Sequence, residues 1–277
     1  MKPDKRKAVK PRHDAQARFS GYAKPLVDEA LRHAHLDPSA DDLHQLRVAL
    51  RRLRTLLWVW RPLLKRDMAV LERGYLKRVG AAAGSARDWD IAAQMLGELD
   101  IEANTVAAGR LNAARIAARD SACATLTAAD LRHALREMLH KVNQALNTAP
   151  RRTSVEELAQ NRVRAARRDL KKRVRRAGRA AKSDYAAWHD VRKAAKRLRY
   201  TLEFFAPILP RRDVQRLKPL KKLQKRFGYL NDAVATERLL HAHREIFADD
   251  TSAEAALAAS RHARERLQRR AAKLIGA

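Results

Sequence analysis

The chain has 277 residues, with 60 Lys and Arg against 31 Asp and Glu and a net charge of +29. A compact body with that charge repels itself unless polyanions are at hand. A hydrophobic content of 46% argues against a wholly disordered basic tail, and one cysteine, Cys123, excludes a disulfide framework, Cys-based zinc sites and CxxC redox chemistry. No stretch approaches the ~18 apolar residues of a membrane span. The basic N-terminus also lacks the apolar segment of a secretory signal, so a soluble, cytoplasmic protein is expected. Aromatic residues are 5% of the chain and mostly lie at helix-core spacing, which weakens readings that need base-stacking platforms.

Residues 1–17 carry two prolines and six Lys/Arg with no apolar period, and read as a flexible basic arm. A first amphipathic helix is expected over 18–36, then a turn over 36–41 in which Ser39 or Asp41 can cap the next helix. That helix, His44–Arg61, sets Leu46, Ala49, Leu50, Leu53, Leu56, Leu57 and Trp60 on one face. His44, Arg47, Arg51 and Arg54 share another, at i, i+3, i+7 and i+10. Pro62 follows. Helices are then expected over 67–83 and 91–99, joined across Gly84–Asp90, and over about 103–125 and 128–146.

The segment 147–154 reads as a linker, and Ser154 with Glu157 makes a capping box for a helix over 155–182. From Arg162 to Lys182 that helix holds eleven Lys/Arg against one acid, with Arg164, Arg168, Lys171 and Arg175 in a stripe. The His44 pattern then returns. Capped by Ser183-Asp184, His189–Phe205 sets His189, Arg192, Lys196 and Arg199 at the same spacings, with Val191, Ala194, Ala195, Leu198, Leu202 and Phe205 opposite. Pro207 lies 145 residues after Pro62. Residues 217–232 align with 73–88 at an offset of 144, matching Lys77/Arg78 to Lys221/Lys222, Gly84 to Gly228 and Asp88 to Asp232. Helices over 233–247 and 253–275 end the chain. No alternating strand pattern occurs, so an all-α fold is expected. It divides into half-repeats 18–147 and 154–277 around the linker 148–153.

Two H-x-x-R-[VK]-x-x-[RK]-R-L-R helices, each followed about 40 residues later by an L-G-x-x-R-D-x-D element or its degenerate copy, resemble the CHAD family, named for its histidine-containing alpha-helical domain. The likeness covers nearly all of the chain beyond the arm. This chain departs in having Ala83 before Gly84, Asn231 where Arg is usual and Val234 in place of the last Asp. The resemblance implies two antiparallel four-helix bundles related by pseudo-two-fold symmetry, with a basic channel that binds inorganic polyphosphate on granules. Acids near the basic stripes are few, so no cluster to hold Mg²⁺ or Mn²⁺ for hydrolysis is evident, and a binding module rather than an enzyme is expected. The E-x-E-x-K motif of the triphosphate-processing barrels fused to some members does not occur here.

Arginine forks and lysine point charges suit a flexible string of phosphates without bases. Helical spacing would place cations every ~5 Å along each wall. The candidate polyphosphate ligands are His44, Arg47, Arg51, Arg52 and Arg54 in the first copy and His189, Arg192, Lys193, Lys196, Arg197 and Arg199 in the second. Lys77, Arg78, Arg164, Arg168, Lys171, Arg175, Lys221, Lys222 and Lys225 are the outlying candidates. Among so many cations each imidazole is expected to be neutral when the site is empty and protonated when it is filled.

No metal or cofactor is expected. His33/His35 and His241/His243 are two residues apart, which on a helix points them to different faces. Asp88 and Asp232 are expected to cap a helix or hold an arginine. The rival readings are a nucleic-acid binder, whose charge would give salt-sensitive association, and a metal-dependent phosphohydrolase echoed by His189-Asp190. Non-specific nucleic-acid binding is expected at low salt.

Overall fold

The computed structural model describes residues 14–97, 105–180 and 184–275. These form helices α1 (Ala15–Arg32), α2 (Ala40–Trp60), α3 (Arg66–Gly97), α4 (Thr105–Ala128), α5 (Leu131–Asn147), α6 (Val155–Arg179), α7 (Tyr185–Phe205), α8 (Arg211–Val214), α9 (Leu217–Ala242) and α10 (Asp250–Ala272). The described residues contain no strand; one isolated bridge joins Asp14 to Ser154. The expected arm falls on residues 1–13, outside the described residues, and on residues 14–17, where Asp14 already caps α1.

Both His-bearing helices keep the predicted apolar face. In α2, Leu46, Leu50, Leu53, Leu56, Leu57 and Trp60 are buried, and in α7 Val191, Ala195, Leu198, Leu202 and Phe205. Each buried Leu or Phe is worth roughly 1.5–3 kcal/mol, so these stripes fix which way the opposite, cationic faces point. Ser39 caps α2 in a capping box closed by Asp42 rather than Asp41. Asp184 caps α7, while Ser183 lies outside the described residues. Pro62 and Pro207 each sit in a 3₁₀ turn that ends the helix before it.

The packing order α1–α2–α3–α4 recurs as α6–α7–α9–α10, and α1 meets α6, α2 meets α7 and α3 meets α9. Trp60 and Phe205, equivalent in the two copies, pack at 5.7 Å, with Phe19 and Tyr22 around them. The largest core cluster draws on helices of both copies, from Phe19 through Leu158 to Leu220. The linker is docked: Gln16 donates to the Arg151 carbonyl at 2.7 Å and accepts from the Thr153 amide at 3.2 Å.

One expectation fails in both halves. Residues 84–90 are not a joint, because α3 runs unbroken from Arg66 to Gly97, and α9 likewise passes through 228–233. Gly84 is there for clearance. A Cβ on it would stand 3.1 Å from the Arg47 guanidinium carbon, whereas a Cβ on Gly228 would meet nothing within 4 Å. The two aligned glycines therefore do different things. Neither Asp88 nor Asp232 caps a helix, since both lie inside one.

Candidate anion-binding site

Where α2 faces α7, the stripes of the two copies converge. Lys196 is mostly buried, and burial, then the charges of Arg51, Arg192 and Arg47, push its amine down from 10.5 to about 5; only Asp232 opposes them. Arg51 and Lys196 are equivalent positions, as are Arg47 and Arg192. Burial also lowers Arg192, whose Nε is buried without a hydrogen-bond partner. Arg51 donates from Nε to the Tyr200 hydroxyl at 3.2 Å, and Tyr200 is 2% exposed. Arg47 donates to the Gly84 carbonyl at 3.4 Å and stands 3.6 Å from Asp88. Burial raises the Asp88 carboxyl while Arg47 pulls it down, so Asp88 holds an arginine in place.

His44 lies at the edge of this cluster. Burial first, then Arg87 and Arg51, lower its imidazole, and its Nδ1 is buried with no partner. Arg47, Arg51, Arg87, Arg192 and Lys196 thus gather, and the described carboxylates acting on them and on His44 are Asp88, Asp232 and Asp41. Buried polar groups are ordinarily hydrogen-bonded. The cluster holds more basic side chains than carboxylates and leaves the Arg192 Nε and the His44 Nδ1 without a partner among the described residues.

His189 stands apart. Burial, then Lys193 and Arg192, lower its imidazole; its Nδ1 is 3.5 Å from the Tyr185 hydroxyl, in a cavity of about 220 Å³ that Asn231 and Arg238 also line. The Tyr185 hydroxyl donates to Asn231 at 2.9 Å, and burial pushes the phenol up to about 12.

A second group of arginines surrounds Trp58 at the far end of α2. Arg162 stacks on the indole at 3.6 Å and donates to the Trp58 carbonyl at 2.8 Å, and Arg197 lies 5.0 Å from the ring. Arg61 and Arg73 add their charges. Burial pushes Arg162 down to about 10, still a cation at neutral pH, and the Nε atoms of Arg54, Arg73 and Arg162 are buried without partners. Arg54 connects the groups, feeling both Arg51 and Arg197.

The other candidates are dispersed. Lys193 pairs with Asp190 at 2.9 Å, Arg197 with Asp169 at 3.0 Å and Arg199 with Glu203 at 3.6 Å. Arg52 lies over the rings of Tyr200 and Phe204 at 6.0 and 5.9 Å. Lys77, Arg78, Lys221, Lys222 and Lys225 are exposed on α3 and α9. Arg164, Arg168 and Lys171 border a separate groove, and Arg175 lines a cavity of about 490 Å³ with Lys172, Arg176 and Arg179.

Sequence reasoning missed Arg61, Arg73, Arg87, Arg162 and Tyr200. A tryptophan off the apolar stripe of α2, flanked by arginines, was the available signal for the Trp58 group. The expected divergence of His33 and His35 is also corrected. The helix ends at Arg32, so both rings reach Asp42, at 2.8 and 3.2 Å. The Ser39 hydroxyl, then His33, hold that carboxyl well below the usual range. Among the described residues no group of three or more His, Cys, Asp or Glu is placed to hold a metal ion, and no helix is long and apolar enough to cross a membrane.

An all-helical chain with two such cationic helices is the class of protein that the fold defines. Residues 21–241 match the CHAD domain family, and the chain belongs to it. The fold is similar to the crystal structure of the CHAD domain from the plant Ricinus communis, with a TM-score of 0.73 and 24% identity over 100% of this chain and 97% of that one. It is also similar to PptA from Streptomyces chartreusis, with a TM-score of 0.68 and 19% identity over 95% of this chain and 99% of that one. No curated protein matches the chain.

Proposed function

We propose that the cationic seam between α2 and α7 binds inorganic polyphosphate, without turning it over, and associates the protein with polyphosphate granules in the cytoplasm. The observation that carries this is the convergence of Arg47, Arg51, Arg192 and Lys196 between α2 and α7, with the Arg192 Nε and the His44 Nδ1 buried without a partner. Packing cations so closely costs the empty protein stability, and a polyanion threaded along the seam offsets that cost. The meeting of equivalent residues, Arg51 with Lys196 and Trp60 with Phe205, supports a pseudo-two-fold channel whose walls are two copies of one helix.

Phosphate oxygens accept bidentate hydrogen bonds from arginine, each worth roughly 1.5–3 kcal/mol when charge-assisted. Nucleic acid needs more than charge. Stacking platforms are scarce: among the described aromatic side chains only Tyr229 is substantially exposed, at 46%, and it lies on α9 outside the seam. The net charge of +29 still favours non-specific association with nucleic acid at low salt.

The test is a competition titration at ~150 mM salt, where surface electrostatics are largely screened. Labelled long-chain polyphosphate is displaced by unlabelled polyphosphate or by single- or double-stranded nucleic acid at matched phosphate concentration. Displacement by polyphosphate alone is expected. Equal displacement by nucleic acid would make the seam a general polyanion surface. Phosphate released on incubation with polyphosphate and divalent metal would overturn the non-enzymatic reading.

A further inference from the structure

The basic stripe of α6 is not part of the seam. Arg164, Arg168 and Lys171 border a groove of about 580 Å³ between α6, α7 and α9, whose floor includes Leu170, Leu198, Leu220 and Leu223. Leu198 and Leu220 are buried and belong to the main core, while Leu170 and Leu223 are partly exposed. Across the groove Arg216 shares Asp213 with Arg167, at 3.6 and 3.7 Å. On the α6 bank Arg164 donates to Asn161, but Arg168 and Lys171 have no hydrogen-bond or ion-pair partner among the described residues.

This combination restricts the occupant. The three cations at i, i+4 and i+7 span ~10 Å along α6, so the ligand carries negative charge at several points along its length. Polyphosphate does that but has nothing to place on leucines. A fatty-acyl anion suits the leucines but carries its charge at one end. An amphipathic helix with acids at i, i+4 and i+7 and apolar side chains on its inner face meets both requirements, with the period of the rim. We infer that the α6–α9 groove docks an acidic amphipathic helix of a partner protein.

The inference does not depend on the polyphosphate reading. Its probe is a fluorescent helical peptide of about 18 residues with that pattern, titrated by anisotropy at ~150 mM salt. The control peptide has the same composition, scrambled to lose the apolar face. The designed peptide is expected to bind at least about tenfold more tightly than the scramble, a difference of ~1.4 kcal/mol. Binding should weaken at least about tenfold in R168E/K171E, whose changes are exposed, and in L223E on the floor. It should persist in R51E/K196E and in the presence of saturating polyphosphate. Equal binding of the scramble, displacement by polyphosphate, or occupation by palmitate in place of the peptide would each overturn the inference.

Discussion

Filling the seam should change the charge of Lys196. In the empty protein its amine is pushed from 10.5 to about 5, so at neutral pH it is uncharged. Protonating it at pH 7 without a partner costs ~3 kcal/mol, from about two pH units at ~1.4 kcal/mol each. Bound phosphate supplies that energy by returning the amine toward its ordinary value. The filled state then holds one more proton than the empty state between about pH 6 and about pH 8. Affinity should therefore rise as pH falls, by about tenfold per unit and about 100-fold across that window.

Calorimetry in buffers of different ionisation enthalpy counts the proton directly. In K196M the uptake and most of the slope should vanish, leaving the smaller part that His44 contributes as its own lowered imidazole is recharged. Folding has the opposite linkage. The unfolded chain binds the Lys196 proton more tightly than the empty fold does, so the stability of the empty domain rises with pH between about 5 and 10.5. K196M should lose that dependence and melt higher than wild type at pH 7, because folding no longer strips a proton from an amine that is charged in the unfolded chain at that pH. Affinity flat from about pH 6 to about pH 8, or an unchanged slope in K196M, would refute the reasoning.

Two other substitutions separate folding from binding. Gly84→Ala adds a methyl 3.1 Å from a mobile guanidinium, which can shift. The helix should gain up to about 1 kcal/mol while polyphosphate affinity drops as Arg47 is displaced, read by chemical denaturation and titration of the same sample. Ser39→Ala removes the hydroxyl that caps α2 and should cost about 1 kcal/mol of stability in urea denaturation.

The helices were legible because the apolar stripe of each repeats with the helical period. The duplication makes α2 and α7 equivalent helices, and they pack against each other. The offset of 145 makes Arg51 and Lys196 equivalent positions, but that they meet is shown only by the packing of α2 on α7. What stayed hidden is tertiary. Gly84 reads locally as a break, and only the Arg47 side chain lying over it shows why a glycine sits inside a continuous helix. Arg197 and Lys193 read as free cations, yet Asp169 on α6 and Asp190 on α7 engage them. Arg162 belongs to a long basic run, and nothing in the run distinguishes it from neighbours that face solvent. Its place against Trp58 depends on how α6 crosses α2.

The measurement that tests the account most directly is polyphosphate binding by R51E/K196E beside R164E/R168E, each checked for an intact fold by circular dichroism and thermal melting. Arg51 and Lys196 both lie off the apolar faces of their helices, so the fold should survive the reversal. The account predicts at least about 100-fold weaker binding, ~2.7 kcal/mol, in the first variant and near wild-type affinity in the second. Undiminished binding by a folded R51E/K196E, or a greater loss in R164E/R168E, would contradict the placement of the site in the α2–α7 seam.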